Sequence, residues 1–63
     1  MHYTYLVGQI VRAKSMIRER PQVILYRITR LLPAEADEIP CYRVRSVSDG
    51  VEWVVAQNRI EPA

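Results

Sequence analysis

The stretch CYRVRSVSDGVEWVV, residues 41–55, contains two short alternating segments joined by a turn. Residues 41–47 alternate apolar side chains with arginines, which is the two-residue period of a β-strand with one solvent-exposed face. Asp49 and Gly50 then supply residue types that tolerate the positive φ of a tight turn. Residues 51–55 resume with β-branched and aromatic side chains. We therefore predict a β-hairpin.

One face of this hairpin is expected to carry an aromatic and β-branched cluster. Tyr42 and Val44 share a face of the first strand, and Val51 and Trp53 share a face of the second. Across an antiparallel ladder such side chains contact one another and stabilise the sheet. We therefore expect Trp53 to be largely buried.

A longer strand is predicted upstream, at residues 22–30, QVILYRITR. Its β-branched and aromatic side chains suit a half-buried pleated surface. Pro21 and Pro33 flank it, and proline lacks the N–H that a central ladder needs. Residues 33–40 are acidic and bounded by prolines, which predicts a solvated connection rather than a regular element.

The ends of the chain complete the pattern. We predict a first strand at Tyr3–Ala13, bent or bulged at Gly8. Residues 14–20, KSMIRER, have fair helix propensity but are too few for an isolated helix, so we predict a long loop with at most one helical turn. Residues 56–58 are expected to form a short turn that leads Ile60 into a last, brief strand.

This order of strands and loops is found in SH3-like and Tudor-like barrels. Four segments narrow the comparison: Val7-Gly8-x-x-Val11, Tyr26-x-Ile28-x-Arg30-Leu31-Leu32-Pro33, Tyr42-Arg43-Val44-Arg45-Ser46 and Glu52-x-Val54-Val55. In these segments the chain resembles a family of very short, functionally uncharacterised bacterial proteins with that barrel, and the resemblance covers nearly the whole chain. The resemblance implies a fold and no known activity, and it supplies no catalytic or binding residue.

The expected fold is therefore all-β: a single domain, residues 1–63, built as a small five-stranded SH3-like barrel. It would have a long first loop and a short 3-10 turn before the last strand. The chain lacks the Ala-Leu-Tyr-Asp-Tyr segment and the adjacent tryptophans of signalling SH3 domains, so binding of proline-rich peptides is not expected.

Length and hydropathy favour one soluble domain. The chain has 63 residues, too few for a second independent core. No segment approaches the roughly 20 apolar residues of a membrane span. Residues 1–4 show neither the basic start nor the apolar run of a secretory signal. We expect a cytoplasmic protein that does not enter a membrane.

Composition gives no support for an enzyme. Cys41 is the only cysteine and His2 the only histidine, so neither an intrachain disulfide nor a histidine–cysteine zinc site is expected. The acidic residues between 35 and 38 are typical of a soluble loop. Gly8 and Gly50 are isolated and form no phosphate-binding loop. We expect no catalytic residue, no metal and no cofactor.

Positive charge is concentrated in the first half of the chain. Residues 1–34 contain six basic residues and one acidic residue, whereas residues 35–63 contain three arginines and six acidic residues. Either these charges pair across strands, or the domain has faces of opposite sign. In the second case the basic residues would bind nucleic-acid phosphates, with Tyr3, Tyr5 or Tyr26 available for base stacking. The candidate residues are Arg12, Lys14, Arg18, Arg20, Arg27 and Arg30.

Adjacent leucines suggest a different function. Leu31 and Leu32 cannot both point into one small core, so they would join other apolar side chains in an exposed patch. The alternative is that they cap the open ends of the barrel. The candidate patch is Leu25, Leu31, Leu32 and Val54. We expect a protein-interaction module or self-associating subunit, with binding of RNA or DNA as the alternative.

Overall fold

The computed structural model describes residues 2–17 and 20–63. Within them the chain forms five strands and one 3-10 turn, with no α-helix. The strands are β1 (Ile10–Ile17), β2 (Arg20–Leu31), β3 (Cys41–Ser46), β4 (Glu52–Ala56) and β5 (Glu61–Pro62), and the 3-10 turn is Gln57–Arg59. The all-β prediction and the short 3-10 turn before the last strand are confirmed.

All five strands belong to one antiparallel sheet with the order β4-β3-β2-β1-β5. The chain meanders through the first four strands, and β5 then returns to pair with β1. β4 and β5 are the two edges and do not pair with each other, so the hydrogen-bonded sheet is not closed.

The prediction of a long first loop is wrong. Residues Ile10–Ile17 pair with Arg20–Arg27 in an unbroken antiparallel register, from Ile10 opposite Arg27 to Ile17 opposite Arg20. Only positions 18 and 19 lie between the two strands, outside the described residues. The helix propensity of residues 14–20 is overridden because the β-branched run in β2 offers this segment a partner strand.

The predicted first strand at Tyr3–Ala13 begins too early. β1 starts at Ile10, and Gly8 lies in a turn with φ +93°, a conformation that favours glycine. The Gly8 N–H donates to the Ile28 carbonyl oxygen at 2.8 Å, which fixes this turn against β2. The residues before it form a separate N-terminal segment that packs on the sheet.

The predicted hairpin at residues 41–55 is confirmed. β3 and β4 pair from Cys41 opposite Ala56 to Arg45 opposite Glu52. Gly50 takes the positive φ, +74°, that the turn needs, and the Asp49 carboxylate accepts the Val51 N–H at 3.0 Å. The acidic connection at residues 33–40 contains no helix or strand, as predicted.

A β-bulge interrupts the pairing of β2 with β3. Ile28 lies opposite Val44, but the next pair is Arg30 with Arg43, which leaves Thr29 as the extra residue. The Thr29 hydroxyl donates to the Arg43 carbonyl oxygen at 3.0 Å. A bulge of this kind bends its strand and increases the local twist of the sheet.

The core lies on one face of the sheet, which we call the inner face. Its buried apolar side chains come from β1, β2, β3, the N-terminal segment and the residue before β5: Val11, Ile28, Tyr42, Val44, Tyr5 and Ile60. The N-terminal segment covers this face, and the rings of Tyr3 and Tyr5 contact Tyr42 edge to face with centroids 5.7 and 5.6 Å away.

The hydroxyl of Tyr42 joins three parts of the chain. It accepts the backbone N–H groups of Thr4 at 3.0 Å and Tyr5 at 3.2 Å. It donates to the Gln57 side-chain oxygen, which also accepts the Thr4 N–H at 2.9 Å. The N-terminal segment and the 3-10 turn are therefore both held by one buried group on β3.

Tyr5 continues this network toward the last strand. Its hydroxyl donates to the Ile60 carbonyl oxygen at 3.2 Å. Burial, with smaller contributions from Tyr42 and Glu61, raises the pKa of the Tyr5 hydroxyl, which therefore stays neutral and keeps its proton for this bond.

Trp53 is exposed, not buried as expected. It lies opposite Val44 on the inner face, as the alternation predicts, but 55% of its surface remains accessible. The reason is its place on β4, an edge strand. The N-terminal tyrosines pack on Tyr42 and leave the indole uncovered.

We predict that Tyr42→Phe lowers the free energy of unfolding by about 1–3 kcal/mol, because it leaves the buried N–H of Tyr5 without its partner and removes the hydrogen bond from the hydroxyl to the Gln57 oxygen. Urea denaturation followed by circular dichroism measures the change. Tyr26→Phe is the matched control, since the Tyr26 hydroxyl makes no hydrogen bond to a described residue, and it should change stability by less than about 0.5 kcal/mol. Equal effects of the two variants would show that the network does not hold the fold.

Candidate nucleic-acid interface

The face opposite the core carries most of the positive charge of the chain. Because side chains alternate along each strand, the residues between the buried positions of β1, β2 and β3 project to this outer face. We call its six cations the basic face: Arg12, Lys14, Arg27, Arg30, Arg43 and Arg45. All six are exposed.

Two pairs of arginines lie directly opposite each other on the central strands. The register sets Arg27 against Arg45 and, beyond the bulge, Arg30 against Arg43. Directly opposed side chains in an antiparallel pair have Cβ atoms about 4.5–5.5 Å apart, where like charges destabilise the sheet. Four guanidinium groups thus lie close together, and their mutual repulsion does not stabilise the free protein.

Carboxylates neutralise this face only at its margins. Arg12 Nε contacts Glu61 Oε1 of β5 at 3.0 Å, and Arg45 Nη2 contacts Glu52 Oε1 of β4 at 2.9 Å. Both pairs are about half exposed and are worth at most about 1 kcal/mol. Arg27 donates to the Gly8 carbonyl oxygen at 3.1 Å.

The remaining cations of the basic face have no such partner. No carboxylate in residues 2–17 or 20–63 pairs with Lys14, Arg30 or Arg43. A positively charged surface therefore runs across β1, β2 and β3, open to an anionic ligand.

The structure brings together four of the six basic candidates from the sequence. Arg12 and Lys14 of β1 meet Arg27 and Arg30 of β2 on the outer face. Arg20 pairs with Ile17 at the far end of the β1–β2 hairpin, and its position in the alternation places it on the inner face. Arg18 lies outside the described residues.

Arg43 and Arg45 are the functional candidates that the sequence reasoning missed. The alternation of residues 41–47 already places both on an exposed face. What the sequence did not reveal is the register with β2, which sets them against Arg30 and Arg27. Both arginines also lie in the half of the sequence where acidic residues outnumber basic ones, six to three, so a count of charges does not single them out.

The candidate apolar patch does not form one surface. Leu25 and Val54 are exposed on β2 and β4, with β3 between those strands. Leu31 is half-buried and packs against the core. The carbonyl of Leu32 accepts the hydroxyl of Tyr3, and its side chain is half-buried.

The tyrosines proposed for base stacking are also not on the basic face. Tyr3 and Tyr5 pack against the core, and Tyr26 lies half-buried on the inner face. The exposed aromatic ring nearest to the basic face is Trp53, which borders a shallow depression together with Arg43, Glu52 and Val54. The basic face itself carries cations without a stacking platform.

Neither a metal site nor a membrane-spanning helix is found in the described part of the chain. No three His, Cys, Asp or Glu side chains of these residues lie close enough together to hold a metal ion. Cys41 has a free thiol, half-buried and 3.6 Å from the Ile39 carbonyl oxygen. No helix in residues 2–17 or 20–63 is long and apolar enough to cross a bilayer.

Comparisons with known proteins do not assign the chain to a family. No family model matches the sequence, and neither a curated protein nor a solved structure gives a significant match. Membership of the family of short bacterial barrel proteins therefore stays a hypothesis.

We predict that Arg43→Gln raises the free energy of unfolding by about 0.5 kcal/mol at low salt, because it removes one of two directly opposed like charges. The gain should vanish at about 1 M salt, where the screening length falls to about 3 Å. Urea denaturation at the two salt concentrations measures it. Arg20→Gln, which removes the same charge from the hairpin end, should show no such gain. A loss of stability in Arg43→Gln at low salt would contradict the assigned repulsion.

Proposed function

We propose that this protein is a non-enzymatic nucleic-acid-binding domain that holds a phosphate backbone against its basic face. The observation that carries the proposal is the pairing of Arg27 with Arg45 and of Arg30 with Arg43 on an exposed surface. Such pairs cost the free protein stability, and a polyanion lying across them removes that cost.

The geometry suits phosphate groups. Arginine presents a planar fork of donors that binds phosphate oxygens in pairs, and it keeps its charge at any physiological pH. The Cβ atoms of two opposed arginines are about 5 Å apart across the ladder. Along one strand, the Cα atoms of alternate residues are about 6.7 Å apart. One phosphate can therefore be shared by an opposed pair, and the next can be held by the neighbouring pair.

Binding of this kind does not select a base sequence. Contacts to phosphates position a protein on a nucleic acid, whereas base edges and stacked rings carry the sequence information. The basic face has no aromatic ring among its six members. The expected ligand is therefore any nucleic acid with a continuous backbone, held by an affinity that falls steeply with salt.

We also propose that this open five-stranded sheet is a small SH3-like barrel whose two edge strands are not joined. The supporting features are the four-strand meander, the return of β5 to β1, the bulge at Thr29 and the 3-10 turn before β5. We place the domain in the cytoplasm, where the free thiol of Cys41 stays reduced.

A protein partner stays the alternative hypothesis. Of the four apolar positions expected from the sequence, Leu25 has exposed apolar neighbours, since it lines a depression together with Val23, Val47 and Trp53. Val54 lies opposite Arg43 on the edge strand β4.

We predict that labelled single-stranded and duplex oligonucleotides bind at low salt with little dependence on sequence. The logarithm of the affinity should fall by about 0.9 per decade of salt for each phosphate contact to duplex DNA, and by about 0.7 for a single strand. Arg43→Gln should weaken binding several-fold and reduce that slope by one contact. Fluorescence anisotropy titrations measure both quantities.

Arg20→Gln is the matched control, because it removes the same charge from the opposite face of β2. It should leave the slope nearly unchanged. Equal losses in the two variants would mean that only net charge matters. Binding to anionic vesicles without binding to oligonucleotides would refute a nucleic-acid ligand.

A further inference from the structure

The two edges of the sheet differ in how well they are protected from pairing with another strand. β5 has two residues, and one of them is Pro62, which has no N–H to offer. β4 has five residues, EWVVA, with no proline, no lysine and no bulge. Proteins normally blunt an exposed edge with one of these devices. β4 is therefore left open to a partner strand.

Hydrogen bonding to β3 determines which backbone groups of β4 are free. The Val51 carbonyl oxygen accepts the Ser46 N–H at 2.9 Å, so the backbone of Val51 faces β3. In an antiparallel strand the N–H and C=O groups of one residue point toward the same neighbouring strand, and those of the next residue point the opposite way. Glu52, Val54 and Ala56 consequently direct their N–H groups, and the first two also their carbonyl groups, to the open edge. Ala56 is the N-cap of the 3-10 turn, so its carbonyl group is used within that turn.

The side chains along this edge are apolar and exposed. Trp53 and Val54 have 55% and 60% of their surface accessible, one on each face of the strand. The single charge of β4, Glu52, is already paired with Arg45. An incoming strand would cover apolar surface on both faces without separating an unpaired charge from water.

We propose that β4 pairs antiparallel with β4 of a second copy of this chain, about a two-fold axis that passes beside Val54. Two antiparallel strands related by such an axis have their outer faces on the same side of the combined sheet. Each even-numbered residue therefore pairs with an even-numbered residue of the partner, and each odd-numbered residue with an odd-numbered one. Centring the axis on Val54 uses all three outward-facing residues: Val54 opposes the partner's Val54, and Glu52 opposes the partner's Ala56. Two hydrogen bonds join the valines, and one runs from each Ala56 N–H to a Glu52 carbonyl.

Charge and packing both favour this occupant. In the Val54-centred register each Glu52 lies opposite an alanine, so no like charges meet, and Trp53 packs across the ladder on the partner's Val55. The two arginine pairs of each subunit lie on β2 and β3. The two β3 strands would be three strand spacings apart, about 14 Å, which exceeds the screening length of about 8 Å at physiological salt. The net charge of +2 on each chain adds little repulsion.

The dimer is independent of nucleic-acid binding but would extend the proposed ligand surface. A two-fold axis perpendicular to the sheet places both basic faces on the same side of one ten-stranded sheet. A backbone that crosses β4 would then contact two clusters, and the linked contacts bind more tightly than either alone.

Disulfide trapping tests the pairing and its register. Opposed, hydrogen-bonded residues have Cα atoms about 5.5 Å apart, within the 4.4–6.8 Å that a disulfide spans. Val54→Cys in a Cys41→Ser background should therefore form a covalent dimer under mild oxidation. Glu52→Cys in the same background should not, since the two copies of position 52 are about 14 Å apart. Mixing Glu52→Cys with Ala56→Cys should restore cross-linking.

Sedimentation at increasing concentration tests the same edge without cysteines. The wild-type chain should become a dimer, and Val54→Lys should remain a monomer because it sets two ammonium groups opposite each other. Val23→Lys, at an equally exposed position on β2, should dimerise like the wild type. Equal cross-linking of Val54→Cys and Glu52→Cys, a wild-type chain that is monomeric at millimolar concentration, or equal dimerisation of both lysine variants would each overturn the proposal.

Discussion

The buried hydroxyl of Tyr42 is the interaction on which the other features of this small domain depend. A domain of 63 residues buries a modest fraction of its surface, so its stability requires that the segment covering the core be held firmly in place. Tyr42 is the second residue of β3, and its hydroxyl accepts the N–H groups of Thr4 and Tyr5 while it donates to the Gln57 side-chain oxygen. One group thus holds the N-terminal segment and the 3-10 turn against the same face of the sheet, and both of these segments satisfy their polar groups there.

Because the core lies on the inner face of the sheet, the side chains of the outer face do not contribute to it. The outer positions of β1, β2 and β3 need only tolerate solvent, yet they carry six cations, of which only Arg12 and Arg45 pair with a carboxylate of the described chain. A solvated face selected for stability alone would alternate charges, since opposed charges favour pairing and like charges oppose it. The arginine pairs on β2 and β3 are therefore the strongest sign of an anionic ligand, and phosphate is an anion that the arginine fork binds through two parallel hydrogen bonds.

Local patterns predicted some elements of this fold and failed for others. The alternation at residues 41–47 and the Asp49-Gly50 turn were sufficient for the β3–β4 hairpin, because that hairpin is local in sequence. The β1–β2 hairpin was missed, since the pairing of Ser15 with Gln22 depends on a partner strand rather than on the propensity of either segment. Trp53 was assigned to the correct face but not to an edge strand, which the order of strands alone determines. Four of the six cations of the basic face, those of β1 and β2, follow from the charge pattern of the sequence, whereas the grouping of Arg43 and Arg45 with them depends on the register of β3 with β2.

Chemical-shift mapping of the ¹⁵N-labelled protein during titration with an oligonucleotide tests the central claim most directly, because it locates the ligand on the structure. We predict that the shifts concentrate on the backbone amides of β2 and β3 and on the side-chain Nε–H groups of the opposed arginines, which are Arg27, Arg30, Arg43 and Arg45. Shifts confined to Trp53 and the rest of β4, or no shifts at low salt and millimolar ligand, would contradict it.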